Sequence, residues 1–596
     1  MALYYPLALM NAASTFTRLP PRSCSVVGTS SSNSVVPGRV QCSGAAKLSD
    51  EAIVRRSANY QPTIWGDDFV QSLKSHVGKS SEERAEKLKE EVRLTLDSAV
   101  DSVQQLELID VLQRLGLSYQ FEDEIKRILD RVYKNKHKQD SLYAVALEFR
   151  LLRQHYYDVS ADVFNNFSDE NGNFNSYGND DCKGILSLYE AAFLLKEEES
   201  KIFHYFRNFA ATYLKEYTKD KEGEDEYVSS LVKHALELPL HWRMPRIEAR
   251  WFVDVYETRH DCNPILLELA KLHFNILQAT HQQELKDVSS WWRNTGIVEK
   301  LSFARDRLLV SFFWNLGLTS EAQFGYFRRM MTKVNALITI IDDVYDVYGT
   351  MDELELFTDA IERWDANSME QLPEYMKIVY LVLFNSVNDM ASHALKVHGV
   401  DIIPYLKKTW ADLCKSYLLE AKWHQDGHIP TLVEYMNNAW ISIAGPVLLV
   451  HAYFLATDPI TEETIECLEE YSNIIRWSSM ILRLADDLGT ASDEMEKGDV
   501  AKSIQCYMHE TGASEEDGRE HIGEMVAATW LKMNRDRLEN PHLSTTFIDI
   551  AMNLGRMAQC IYQHGDGHGI EVGQTRDNVL SLLVNPIQVQ SVDSSG

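Results

Sequence analysis

SEERAEKLKEEVRLTLDSAVDS, residues 81–102, places Ala85, Leu88, Val92 and Leu96 at intervals of three and four. At about 100° per residue, this spacing lays four apolar side chains along one helical stripe and turns the charged ones away. The same period returns at residues 105–115 and 187–197, while the alternation expected of a half-buried strand is sparse. With only 15 prolines and few hairpin dipeptides, the pattern predicts an all-α chain. Residues 168–183 (SDENGNFNSYGNDDCK) interrupt it as a polar loop.

At 596 residues the chain exceeds one hydrophobic core, so at least two folded units are expected. A boundary is expected near residues 256–264 (YETRHDCNP), giving two helical domains at 55–260 and 261–596. Residues 1–49 differ in composition: nine serines, Arg18, Arg22, Arg39 and Lys47, and no acid before Asp50. A Ser-rich, basic, acid-poor leader reads as an organelle transit segment, so residues 1–54 are expected to be transit peptide and linker. The eight cysteines (Cys24, Cys42, Cys182, Cys262, Cys414, Cys467, Cys506 and Cys560) form no C-x-x-C pair, which points to reduced thiols. The longest apolar stretch, residues 441–456, contains Ser442, Gly445, Pro446 and His451, and no membrane partner is expected. The formal charge of −29 argues against nucleic acid or an anionic membrane, both of which need excess Lys and Arg. A polyanionic substrate would need local cations or bound metals to overcome that field.

Two acidic clusters carry the chemistry. Residues 341–350 read IDDVYDVYGT after the apolar run 336–341. Asp342 and Asp346 fall about 40° apart on a helix, and Asp343 either reaches the same site or accepts a bond behind it. Carboxylates ending an apolar helix are costly without counter-charge, and Mg²⁺ takes one or two carboxylates plus substrate phosphate. Residues 484–494 read LADDLGTASDE, with Asp486, Thr490 and Glu494 within about 80° of one another as an oxygen-only stripe. Arg483, one turn earlier, falls near that face and suits a phosphate. A solvated acidic face is the plain alternative for either cluster. Two such stripes, each on an apolar helix with basic residues at fixed offsets, argue against coincidence.

DDVYD at 342–346 resembles the aspartate-rich motif of class I terpene synthases, and LADDLGTASDE resembles their second metal motif. Arg305-Asp306-Arg307 stands where plant members carry an Arg-x-Arg element, and Arg55-Arg56 followed by eight residues and Trp65 (RRSANYQPTIW) is similar to the tandem-arginine motif of cyclising monoterpene synthases. YGTMDELELF at 348–357 and YQHGDGHG at 562–569 also match, so the resemblance runs from Arg55 to the C-terminus. The chain lacks the D-x-D-D tetrad of protonation-initiated cyclases; the nearest stretch is Asn179-Asp180-Asp181-Cys182. The resemblance therefore implies a non-catalytic α-barrel-like N-terminal domain and a catalytic C-terminal α-bundle.

It further implies a lyase that ionises geranyl diphosphate and cyclises the cation in the plastid stroma, as a monomer or weak homodimer. Three Mg²⁺ ions, with Mn²⁺ as a substitute, would be held by Asp342, Asp343 and Asp346 on one side and Asp486, Thr490 and Glu494 on the other. Arg305, Arg483 and Lys502 would join Asp342, Asp346 and Asp486 in holding the diphosphate, although Lys502 also reads as a surface lysine. Aromatic faces stabilise carbocations without capturing them; Trp314 and Tyr562 are the candidates, with ordinary core packing as the alternative. Gly445-Pro446 should break a helix, and the resemblance places that kink at the pocket. Asn335, two turns before Asp342, is expected to face the pocket and suits a water molecule. Arg55 and Arg56 would fold over the pocket and assist isomerisation of the geranyl skeleton. The rival readings are a sesquiterpene synthase using farnesyl diphosphate and, in another class, a catalytically silent helical binding protein.

Overall fold

The computed structural model describes residues 55–56, 58–75, 77–98, 101–135, 141–167, 182–220, 225–497, 501–540 and 542–589, with side chains at 220 and 492–497 left undescribed. The expected transit segment (1–54), the stretch Asn179-Asp180-Asp181 and the Glu494 side chain therefore lie outside the described residues. Among the described residues every regular element is helical.

The helix Lys79–Ser98 buries Ala85, Leu88, Val92 and Leu96, the four residues of the predicted stripe, and packs on the long helix Pro264–Thr295. It does not run on to Ser102. Asp101 accepts the Gln104 N–H at 3.0 Å, and this N-cap starts a separate helix, Ser102–Arg114. The window 187–197 is likewise divided, into the helix Cys182–Ala192 and a short 3₁₀ turn, Glu197–Glu199. There Glu199 accepts the Lys196 N–H at 2.8 Å, so a local cap outcompetes continuation of the helix.

From Arg55 on, the chain forms one compact unit. Its main core runs from Trp65 to Ile587, and a second cluster joins residues of 142–235 to Ala527 and Leu531. Between the helices Pro245–Glu257 and Pro264–Thr295 lies only a short turn. The N- and C-terminal halves are also tied by buried polar contacts: Asn534 Nδ2 donates to the carbonyls of Phe193 at 2.8 Å and Leu195 at 3.0 Å.

The stretch Leu432–Ala456, of 25 residues, contains an 18-residue window of mean hydropathy 1.7, apolar enough by composition to cross a membrane, but 72% of that window is buried inside the fold. It is two helices, Leu432–Ser442 and Gly445–Ala456. The chain breaks at Ile443-Ala444, where Ala444 adopts φ 63°, and Pro446 has no N–H to give the Ser442 carbonyl. Gly445 is required by a close approach: a Cβ there would run into the Ser479 side chain and lie 3.0 Å from its Cα. Cys182, Cys262, Cys414, Cys467, Cys506 and Cys560 are all free thiols.

Candidate active site

The helix Gly325–Asp343 delivers Asp342 and Asp343 at its C-terminal end, and the chain then widens into a π-turn, Val344–Tyr348. The Gly349 N–H closes that turn on the Val344 carbonyl at 2.8 Å. Wider winding advances each residue by less than the ~100° of an α-helix, so Asp346 falls closer to the line of Asp342 than four α-helical steps would bring it. Both line a cavity of about 750 Å³, within the ~300–1,000 Å³ usual for ligand pockets. Thr339 and Asn335, one and two turns earlier, line it too.

Asp343 points elsewhere. It is fully buried and accepts the Arg305 backbone N–H at 2.6 Å and the Arg305 Nε–H at 2.8 Å. Burial pushes its carboxyl up to about 6, against the pull of Arg305. Of the two positions the sequence allowed, the structure has Asp343 behind the wall, gripping an arginine. Arg305 also donates to Asp342 at 2.5 Å. Burial opposes the charge on Arg305, but Asp343 and Asp342 hold its guanidinium well above the ordinary value. Asp346 is accessible from the cavity, where removal from bulk water and then Asp342 push its carboxyl well up, with Lys502 pulling the other way.

The facing wall comes from the helix Asn473–Lys497. Arg483, Asp486 and Thr490 all line the cavity, as does Lys502 before the helix Ser503–Thr511. Arg483 donates to Asp486 at 2.9 Å, and the Thr490 hydroxyl donates to the Asp486 carbonyl at 3.0 Å.

Between the walls the lining becomes aromatic and apolar. Trp314 and Tyr562 face each other with ring centroids 6.1 Å apart, and Ile443, Ala444 and Leu448 bring the broken helix to the cavity. The Trp314 indole N–H donates to His568 Nδ1 at 3.2 Å. Indole is a donor only, so Nδ1 is bare, and the proton of neutral His568 sits on Nε2, 3.1 Å from the Thr339 hydroxyl. Burial, then Arg305, lowers His568 to about 3, so it is neutral at pH 7.

Residues 56, 58–62 and 64, with 566 and 568–572, roof the cavity. The two tandem arginines part company there. Arg55 forms a two-pronged pair with Glu353 at 2.8 Å each, donates to the Tyr348 carbonyl at 2.9 Å and sits over the Tyr348 ring at 4.4 Å. Only Arg56 reaches the cavity wall, donating to the Asp346 carbonyl at 2.5 Å. Further along, Arg307 bridges the Gln61 carbonyl at 3.1 Å and the Gly569 carbonyl at 2.8 Å. Glu571 accepts from the Thr63 hydroxyl at 3.1 Å and the Ile64 N–H at 2.9 Å, and Trp65 is buried beyond.

The sequence reading gave no role to Tyr60, Arg307, Tyr417, Glu420, Asp566 or His568, of which all line the cavity. Tyr60 hydrogen-bonds Asp343 and lies under the Arg305 guanidinium at 4.8 Å. A signal existed for Asp566 and His568, inside the quoted YQHGDGHG stretch. Tyr417 and Glu420, on the helix Ile403–Asp426, belong to no motif.

The donor set fits hard divalent cations. Asp342, Asp346, Asp486 and Thr490 offer only oxygen, and a cation between Asp342 and Asp346 would relieve their mutual repulsion. Among the described residues no three His, Cys, Asp or Glu side chains converge tightly enough to hold an ion unaided.

An all-helical fold with oxygen-lined walls facing each other across an aromatic cavity defines a terpene synthase type of site, and residue matching agrees. Residues 64–236 match the terpene synthase N-terminal domain and residues 293–532 the terpene synthase family metal-binding domain. The chain belongs to the terpene synthase family, among the plant monoterpene synthases. It is 57% identical to "Myrcene synthase, chloroplastic" of Quercus ilex, covering 96% of this chain and 97% of that one. It is 58% identical to "(-)-alpha-terpineol synthase" of Vitis vinifera over the same shares. Among solved structures it is similar to limonene synthase with 2-fluorolinalyl diphosphate, at TM-score 0.87 and 45% identity, covering 90% of this chain and 100% of that one. It is also similar to grey poplar isoprene synthase with three Mg²⁺ ions and dimethylallyl-S-thiolodiphosphate, at TM-score 0.81 and 44% identity, over 88% and 99%.

Proposed function

We propose that the protein ionises geranyl diphosphate, isomerises it and cyclises it to a monoterpene, releasing diphosphate. One observation carries this reading. The polar walls holding Asp342, Asp346, Arg483, Asp486, Thr490 and Lys502 share a single cavity with Trp314, Tyr562 and Leu448. A molecule with a polyanionic head and an apolar tail matches that division, and a free polyanion or a free hydrocarbon does not.

Bound Mg²⁺, or Mn²⁺ in its place, would supply Lewis-acid stabilisation of the departing diphosphate. Asp342 and Asp346 would be the ligands on one wall and Asp486 and Thr490 on the other, with Glu494 added to the second set by its place in the motif. The three ions of the isoprene synthase complex support a count of three. Asp343 holds Arg305, and Arg305, Arg483 and Lys502 bind diphosphate oxygens. Trp314 and Tyr562 present π-faces to the cation. Neutral His568 keeps both ring nitrogens engaged, which limits nucleophilic capture of the cation there.

A trans allylic skeleton cannot close a six-membered ring directly, so the diphosphate must recombine at the tertiary carbon, allow rotation and leave again. That requires the anion to be retained in a closed pocket. Arg56 lies on the wall beside Asp346 and Arg55 anchors the strand carrying it, so Arg56 retains and Arg55 holds the roof. The linalyl analogue in the limonene synthase structure supports a tertiary intermediate in this fold.

The same reading assigns residues 1–54 to plastid targeting and the stroma as the working compartment; the printed name of the Quercus relative, "chloroplastic", supports it. Residues 55–260 serve as a non-catalytic helical domain and 261–596 as the catalytic one, in a monomer or weak homodimer. The test is incubation with geranyl and farnesyl diphosphate plus Mg²⁺, with products identified by gas chromatography–mass spectrometry. A cyclic monoterpene from geranyl diphosphate, abolished by chelation, is expected. Preferential turnover of farnesyl diphosphate would replace the substrate, and no diphosphate release from either would overturn the reading.

A further inference from the structure

The second acidic motif contains two adjacent aspartates with opposite orientations. Asp486 lines the cavity, whereas Asp487 is fully buried behind it. The Asp487 carboxylate accepts the Tyr435 hydroxyl with both oxygens at 3.0 Å. It accepts from Arg483 Nη1 at 3.3 Å and from the Ser503 backbone N–H at 3.1 Å. Three separate elements therefore meet on one carboxylate: the helix Leu432–Ser442, the helix Asn473–Lys497 and the start of the helix Ser503–Thr511. A buried carboxylate is expensive unless charged and polar donors surround it, and here they do.

Two of those donors lead to the cavity. Arg483 is pinned from behind by Asp487, by the Ala439 carbonyl at 3.2 Å and by the Ser442 hydroxyl at 3.4 Å, and meets Asp486 at the wall. Ser503 directly follows Lys502, which lines the cavity and whose positive charge acts on Asp346 of the opposite wall. The Lys502 N–H is itself tied to Gln505 Oε1 at 3.0 Å. Fixing the Ser503 amide thus fixes the backbone from which the Lys502 ammonium is projected.

We infer that Asp487 is a positioning residue that sets the separation of two diphosphate-facing cations, Arg483 and Lys502, and is not itself a metal ligand; this rests on the diphosphate reading of the site. The role fits the chemistry of its contacts. An arginine and a lysine from different elements must address the oxygens of one anion together, and one carboxylate bonded to both supports holds them in step.

The test uses the full chain with D487N and Y435F, the latter removing only the hydroxyl that bonds both Asp487 oxygens. Binding of inorganic diphosphate in saturating Mg²⁺ is measured by calorimetry, KM and kcat with geranyl diphosphate, and amide exchange at Ser503 without ligand. D487N is expected to weaken diphosphate binding and raise KM by about tenfold, with kcat changed much less; Y435F should act in the same direction by about threefold. Ser503 should exchange faster in D487N. Unchanged diphosphate affinity in D487N, or in Y435F should D487N not fold, would overturn the inference. So would a raised Mg²⁺ half-saturation with diphosphate affinity intact, which is the behaviour of a ligand. Wild-type protein that failed to bind Mg²⁺-diphosphate would sink the functional reading instead, while Ser503 exchange would still decide whether Asp487 secures the helix start.

Discussion

The two walls of the cavity use the same pair of residues in different ways. Each has adjacent aspartates, one on the cavity and one fully buried: Asp342 with Asp343, and Asp486 with Asp487. Each buried member grips an arginine. On the second wall that arginine, Arg483, is four residues away on the same helix. On the first, Arg305 comes from a loop 38 residues earlier in the chain, and Tyr60 of the roof is stacked on it. The second wall is thus set by local helical geometry, and the first depends on distant segments arriving correctly. The first wall also leaves α-helical winding at Val344–Tyr348, while the second keeps it. Acid position is robust where it rests on one helix and conditional where it rests on assembly.

The strongest way to break this comparison is Asp342→Ala, which removes a proposed ligand from the conditional wall. Turnover should fall by about 10³ or more, with the melting temperature nearly unchanged; substantial turnover at saturating Mg²⁺ would remove Asp342 from the ligand set. Deleting residues through Arg56 should come next. Cyclisation of geranyl diphosphate should drop by about 10², while linalyl diphosphate, already isomerised, should still give cyclic products. Equal loss with both substrates would move the strand's role to ionisation or folding.

Asp343→Asn sharpens the contrast on the stability side. It leaves buried Arg305 with Asp342 alone and should cost roughly 3 kcal/mol, read by denaturant unfolding. A loss under about 1 kcal/mol would mean that the Arg305 grip is worth no more than an exposed ion pair. Thr490→Ala on the local wall is expected to be milder, raising the Mg²⁺ concentration for half-maximal rate about threefold; an unchanged Mg²⁺ titration would exclude Thr490 as a ligand. A protein beginning at Arg55 should show no loss in rate at all, and a marked loss would make residues 1–54 part of the working fold.

What could be read from sequence follows the same divide. Stripes set by one helix were legible: the buried face of Lys79–Ser98, and the shared cavity placement of Arg483, Asp486 and Thr490. Asp342, Asp346, Asn335, Trp314, Tyr562 and Lys502 also reach the cavity, because short-range spacing and motif matches carried their positions. Contacts between distant segments were not legible. Nothing in the string couples Tyr60 to Arg305, or His568 to Trp314, 254 residues apart. Periodicity also overran helix ends, since Asp101 and Glu199 cap locally at points where the apolar pattern still continues.

The roof has a consequence for how the enzyme comes into being. Its two halves, drawn from residues 56–64 and 566–572, are sewn together by Arg307 and Glu571. A ribosome makes the first half early and must finish nearly all the intervening helices before the second exists. Until residues 566–572 are in place, Thr63 and Ile64 lack the partner that ties them down across the cavity, and the bridge from Gln61 stops at Arg307. The closed pocket that the proposed cyclisation needs is therefore completed by two segments some five hundred residues apart in the chain, about as far apart as its ends allow.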